Sequence, residues 1–160
     1  MTRCFIYHSY SGITRGIARK VRAACDGDLI EVKPRKDYNA LTVYMIGGYR
    51  ATKGELDPIE PKKIDVAGYD LIVIGTPVWG WKPTPAINAA IAALKGCEGK
   101  KAVIFATCGR EAGETIAIMR KALEGKGVKV VGDMVFGKKD VQDGKKINEL
   151  IVMVNAAAIA

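Results

Sequence analysis

The segment Tyr69 to Thr76, YDLIVIGT, leaves the fewest options for the fold of this chain. From Leu71 to Ile74 apolar and β-branched residues follow one another without polar alternation, and Gly75 and Pro77 bound the run too closely for a buried helix. A strand of this kind is covered on both faces, as in parallel sheets flanked by helices. The rest of the chain repeats the pattern. Arg3 to His8 reads as a first strand and Gly12 to Cys25 as a helix, with Ile13, Ile17, Val21 and Ala24 at helical spacing. Leu29 to Val32 is a second strand, Pro83 to Leu94 a helix, Lys101 to Thr107 a fourth strand, Glu114 to Leu123 a helix, Val128 to Phe136 a fifth strand and Val141 to Asn155 a closing helix. Strands alternating with helices of this length are joined by right-handed crossovers. The expected fold class is therefore α/β, a three-layer α/β/α sandwich around a five-stranded parallel sheet in the order 2-1-3-4-5, with residues 1–160 forming one domain. The long irregular piece is Pro34 to Gly68, in which Ala40 to Ala51 is expected to be helical and Asp57-Pro58 and Glu60-Pro61 to interrupt regular structure beyond it.

Open parallel sheets bind ligands beyond the carboxyl ends of their strands. After the first strand, Ser9-Tyr10-Ser11-Gly12-Ile13-Thr14 opens directly onto a helix. Its hydroxyls, the close approach that Gly12 permits and the free N–H groups of the first helical turn make a phosphate cradle. The plainer alternative is a Ser/Thr helix cap with no ligand. Neither G-x-x-x-x-G-K-[ST] nor G-x-G-x-x-G is present, which excludes the usual triphosphate and dinucleotide loops. After the third strand, Thr76 to Pro83 holds Pro77, Val78, Trp79, Gly80 and Trp81. Two tryptophans in so short a loop point to a flat aromatic ligand, or else simply cover the end of the sheet. After the fourth strand come Thr107, Cys108, Gly109, Arg110 and, further on, Gly113, a loop whose glycines let backbone amides reach a ligand edge. Strands one, three and four are neighbours in the expected order, so cradle, aromatic loop and polar loop line one crevice. A phosphate and a planar ring held together point to flavin mononucleotide (FMN).

These residues resemble those of the flavodoxins, of the short type, over essentially the whole chain. Tyr7 to Thr14 is similar to the family's phosphate loop S/T-x-T-G-x-T, with Ile13 where Asn is usual; Tyr69 to Pro85 resembles its third strand and first flavin loop, and Thr107 to Gly113 its second. Gly47-Gly48-Tyr49 matches a glycine pair of flavodoxin-like subgroups, and no insertion splits strand five. The resemblance implies that Ser9, Ser11, Gly12 and Thr14 hold the phosphate, with the N–H groups of Tyr10 and Ile13. It implies that Val78 to Trp81 flank the isoalloxazine, and that Thr107 to Arg110 with Gly113 meet its pyrimidine edge. It also implies a backbone carbonyl that turns toward N5 on reduction, for which Gly80 is the candidate hinge. Electron transfer follows as the expected function, with an FMN-dependent oxidoreductase acting on a quinone, a porphyrin precursor or another small acceptor as the alternative. The cofactor carries the redox chemistry, so no catalytic side chain is required.

Charge departs from the family pattern. The chain has 25 Lys and Arg against 17 Asp and Glu, a net +8, whereas typical flavodoxins are acidic. Up to Cys25 there are five basic residues and no acid, and from Arg120 to Lys146 there are eight against four. The expected partners are redox proteins with acidic surfaces, a reductase or an iron-sulfur protein, and Lys82 and Arg110 are expected near the flavin. Scattered lysine pairs without interleaved aromatics do not make a nucleic-acid groove. A phosphorylatable receiver needs carboxylates where Ser9 and Pro77 stand, and C-x5-R phosphatase chemistry fails because Tyr10, Glu31, Val103 and Glu114 lie six residues after the cysteines. The cysteines lack C-x-x-C spacing and read as free thiols in a reducing compartment, and the first residues lack a secretory pattern. A cytoplasmic, monomeric carrier without a membrane span is expected, and His8, the single histidine, is expected to be structural.

Overall fold

The computed structural model describes residues 1–159. Five strands, β1 (Arg3–Tyr7), β2 (Asp28–Glu31), β3 (Leu71–Trp79), β4 (Lys101–Thr107) and β5 (Lys129–Phe136), pair in parallel in the order 2-1-3-4-5. The helices are α1 (Ile13–Cys25), α2 (40–52), α3 (Pro85–Ala92), α4 (Thr115–Glu124), α5 (Lys138–Asp143) and α6 (Lys145–Ile159). The expected sandwich is thus present, with strand and helix ends shifted by a residue or two at most places.

The central strands bury alternate side chains on opposite faces. Cys4 and Ile6 of β1, Ile72 and Ile74 of β3 and Ala102 and Ile104 of β4 pack on Ile87 of α3 and on Met119 and Leu123 of α4. Phe5 and Tyr7, Leu71 and Val73, and Val103 and Phe105 pack on Ile17 and Val21 of α1 and on Leu150 and Val154 of α6. Both layers are apolar because β3 and its neighbours are paired along both edges and covered on both faces.

Three features shape the site, and the first two depart from the sequence reading. β3 does not stop at Thr76: it runs on to Trp79 and turns back, so that Val78 pairs with Pro83 and Trp79 with Lys82 in an antiparallel hairpin. The expected closing helix is two helices, because Gly144 takes a left-handed conformation between them. The Pro34–Gly68 excursion holds α2, whose start is fixed by Asn39: its Oδ1 accepts from the N–H groups of Leu41 and Thr42, while the Thr42 hydroxyl accepts from Asn39 N–H. The middle of α2, Val43–Gly47, is wound as a π-helix, a form concentrated at functional sites.

Gly75 sits opposite Phe105 in the sheet, and a Cβ there would lie 2.2 Å from the Phe105 ring. Gly75→Ala is expected to overpack this layer and to cost about 1–3 kcal/mol, read as a lowered urea midpoint at unchanged m-value.

Candidate functional site

The loop between β1 and α1 is built to leave donors free. Gly12 precedes the helix at φ 96°, a conformation that favours glycine, and its N–H donates to Ser9 Oγ at 3.1 Å. The first hydrogen bond along the helix runs from Gly16 N–H to Gly12 carbonyl at 3.0 Å. The N–H groups of Ile13, Thr14 and Arg15 therefore stand at the positive end of α1 without a partner among the described residues, and Ser11 is exposed beside them. Thr14 is buried, and its hydroxyl meets that of Thr107 at 3.0 Å, which ties the cradle to the end of β4.

The second and third loops are joined to each other. Trp81 has φ 63°, its carbonyl accepts from Glu114 N–H at 2.9 Å, and its indole N–H donates to Glu111 at 3.2 Å. Gly113, at φ 56°, is packed so tightly here that a Cβ would lie 2.4 Å from that of Trp81. Lys82 donates to the Thr52 carbonyl at 2.8 Å and lies 3.9 Å from Glu114, so its charge is held by the protein, whereas Arg110 is exposed.

The two tryptophans face apart. Trp81 is 59 % exposed, whereas Trp79 turns inward to an aromatic cluster, edge-on to His8, Tyr10 and Tyr38 at centroid distances of 5.6, 6.2 and 5.2 Å. A Cβ on Gly47 would lie 2.9 Å from the Trp79 ring, so the first residue of the glycine pair lets α2 close over it. Tyr38 is fixed in turn by the buried Asp57 carboxylate, which accepts from the Tyr38 hydroxyl and from Arg50. Burial, and after it the bond to Asp57, push the Tyr38 hydroxyl up to about 12.

These loops enclose a crevice with two chambers. The first, about 510 Å³, is lined by Ser11 and Ile13 of the cradle, Pro77 and Val78 of β3 and Thr107, Cys108 and Gly109, together with Phe136, Lys138, Val141 and Gln142 from the end of β5 and from α5. The second, about 600 Å³, lies under α2 and takes Tyr10, Val78, Trp79 and Gly80 together with Val43, Gly48, Tyr49 and Thr52. Tyr44 of α2 also lines both chambers. Of the residues singled out from the sequence, Ser9 faces a smaller cavity on the β2 side, and Gly12, Thr14, Trp81, Arg110 and Gly113 support the crevice without lining either chamber. The α2 and α5 residues are the part that the sequence reading missed. The signal for α2 was present in Gly47-Gly48 flanked by Tyr44 and Tyr49.

Other groups around the crevice are fixed in charge. Burial pushes the His8 imidazole down to about 4, and its Nδ1 lies 2.8 Å from the Thr84 hydroxyl that caps α3. His8 is neutral near pH 7 and structural. Burial pushes Glu31 up, but bonds from Arg15, Tyr7 and Lys33 outweigh it and hold the carboxyl at about 2.

A sequence profile described as flavodoxin matches residues 3–149. The chain belongs to the flavodoxin family. Among solved structures, a Bacteroides uniformis protein assigned as a flavoprotein superposes with a TM-score of 0.78 at 22 % identity, covering 94 % of this chain and 97 % of that one. A Lactobacillus acidophilus flavoprotein, solved in complex with FMN, gives 0.73 at 23 % identity over 92 % and 97 % of the chains. The two-electron-reduced flavodoxin of Megasphaera elsdenii gives 0.64 at 21 % identity over 99 % and 100 %. A search of curated proteins finds no significant match. FMN is the flavodoxin cofactor, and the donor set here fits it: free N–H groups at a helix start, a glycine with left-handed φ, and an adjoining cleft walled by Pro77, Val78 and Thr107.

The depressed His8 pKa has a defined sign. The unfolded chain protonates His8 below its ordinary value of 6.5, whereas the folded chain resists down to about 4, so stability is lost as pH falls through that window. The loss amounts to on the order of 3 kcal/mol in total. Urea titrations between about pH 6.5 and 4.5 are expected to show this slope in the wild type and to lose it in His8→Gln, which keeps a polar partner for Thr84.

Proposed function

We propose that this flavodoxin transfers electrons between redox partners through FMN, its phosphate at the Ser9–Thr14 cradle and its isoalloxazine along the first chamber, between Val78 and Thr107 to Gly109. The observation that carries the reading is the composition of the walls. Among the described residues, no Asp, Glu or His lines either chamber, and the cation of the first is Lys138. Such walls suit binding and orienting a redox group, and they offer no carboxylate or imidazole for proton transfer to a bound substrate. The FMN, when bound, supplies the electron chemistry. The cradle's free N–H groups hold the phosphate, the Gly109 backbone is open to the pyrimidine edge, and Gly80, at φ 57°, is the candidate hinge.

A second reading, an FMN-dependent oxidoreductase with a small acceptor, is favoured by one feature, the apolar second chamber beside the flavin path. In either reading the protein acts as a cytoplasmic monomer, a setting in keeping with its free cysteines. Of the described residues, no helix is long and apolar enough to cross a membrane.

Charge distinguishes this chain from acidic flavodoxins. A cation at the ring favours the anionic, fully reduced flavin, which raises the second one-electron potential. Spectroelectrochemical titration is expected to place that potential close to or above that of free FMN. Lys138→Gln is expected to lower it by on the order of 1 kcal/mol of stabilisation. A second potential well below that of free FMN overturns this expectation.

The net charge of +8 selects partners with acidic surfaces, a reductase or an iron-sulfur protein. Stopped-flow reduction by an acidic reductase is expected to slow as salt is added. NAD(P)H alone is expected to give no sustained turnover.

A further inference from the structure

Helix α2 is apolar on both of its faces. From Ala40 to Thr52 its single charged residue is Arg50, and a helix of that composition is normally enclosed. The inner face is enclosed: Val43, Gly47 and Ala51, four residues apart, are buried. Leu41, Met45 and Tyr49 recur at the same spacing but are 67, 67 and 60 % exposed, with Ile46 half-exposed beside them. An α-helix advances by about 3.6 residues per turn, and the wider π-turn at Val43–Gly47 carries the average toward four, so each set stays in line. Leu41 and Met45 line neither chamber of the crevice, so holding the cofactor does not account for them.

Charge indicates what covers the outer face. Lys53 stands beside the stripe, its Nζ 5.6 Å from the centre of the Tyr49 ring, and Lys36 lines a cavity on the flank of α2 with Thr42 and Ile46. Neither lysine has a carboxylate partner among the described residues, whereas Arg50 is held by Glu55 and Asp57. From Lys36 to Lys53 the one acid is Asp37. A second copy would bring the same cations and another +8 to this face, and repulsion opposes that pairing. A shaped protein partner is matched through hydrogen bonds, for which Leu41, Met45, Ile46 and Tyr49 offer one side-chain group, the Tyr49 hydroxyl. A bilayer asks only for apolar area and, where its headgroups are anionic, for cations. Tyrosine, with an apolar ring and a polar tip, suits the headgroup level.

We propose that the outer face of α2 docks on an anionic lipid bilayer, with Leu41, Met45 and Tyr49 entering the headgroup boundary and Lys36 and Lys53 meeting lipid phosphates. Neither signal suffices alone. Three side chains bury little apolar area and two cations are screened by salt, but together they give reversible surface binding. The probe is a vesicle of phosphatidylcholine with about one-third phosphatidylglycerol, against a vesicle of phosphatidylcholine alone. Binding is read by co-sedimentation of the FMN-loaded protein at low salt, and it does not depend on where the flavin sits. Leu41→Gln with Met45→Gln removes apolar area without changing charge, and Lys36→Gln with Lys53→Gln removes the flanking cations. Arg19→Gln with Lys20→Gln removes the same charge from the exposed side of α1.

The wild type is expected to bind the anionic vesicles saturably and the neutral ones at least about tenfold more weakly. The apolar pair and the α2 lysine pair are each expected to weaken binding by about tenfold, and the α1 pair by no more than about twofold, all at unchanged urea midpoint. A wild type that stays in solution with anionic vesicles overturns the proposal. So does an apolar pair that binds like the wild type, which leaves charge alone as the cause, or an α1 pair as damaging as the α2 lysines, which removes the location. A wild type that dimerises in sedimentation equilibrium, and is made monomeric by Leu41→Gln with Met45→Gln, assigns the face to a second copy instead. Vesicle binding untouched by that pair, with slower reduction by an acidic reductase, assigns it to a protein.

Discussion

Everything at the site depends on β3 being paired along both edges by β1 and β4. This double pairing fixes the heights at which three chain segments leave the sheet, so the cradle after Tyr7, the hairpin beyond Thr76 and the loop after Thr107 emerge side by side. The apolar layers on either face hold the strands in that register, because a one-residue slip would turn Leu71 and Val73 toward the wrong layer. Gly75 belongs to the same constraint, since it gives the Phe105 ring the space to lie across β3.

Much of this was legible in the sequence because it rests on local pattern. The apolar run of β3, the helical spacing of α1 and the hydroxyl-rich turn before it each carry their own signal, and strand order is narrowed by crossover handedness. The hairpin at the end of β3 was hidden, because its pairing of Trp79 with Lys82 is made by a short turn at Gly80 that also reads as a loop. The two tryptophans stand out in the sequence, but their opposite directions do not, because these are set by tertiary partners: His8, Tyr10 and Tyr38 for Trp79, and Glu111 for Trp81. The helical character of α2 is legible in the sequence, yet its position over the crevice depends on a buried carboxylate far along the excursion. Asp57 draws Arg50 and Tyr38 together, and no periodicity announces such a contact.

The excursion from Pro34 to Gly68 then has a physical account. It is held by short strand pairings of Lys33–Pro34 with Ile59–Glu60 and of Ile64–Asp65 with Leu94–Lys95, and by the Asp57 cluster. Leu41, Tyr44, Met45 and Tyr49 are left exposed on α2 although the core next to them is well filled. An exposed apolar face of this kind marks a surface shaped for contact rather than for stability.

The bond between the Thr14 and Thr107 hydroxyls joins two segments that lie 93 residues apart in the chain. Both side chains are buried, Thr14 behind the crevice and Thr107 in its wall, so the bond is made wholly within the protein. The spacing between the start of α1 and the end of β4, the two supports proposed for the cofactor, is consequently decided when the chain folds. A spacing set in this way leaves less ordering for the moment of binding.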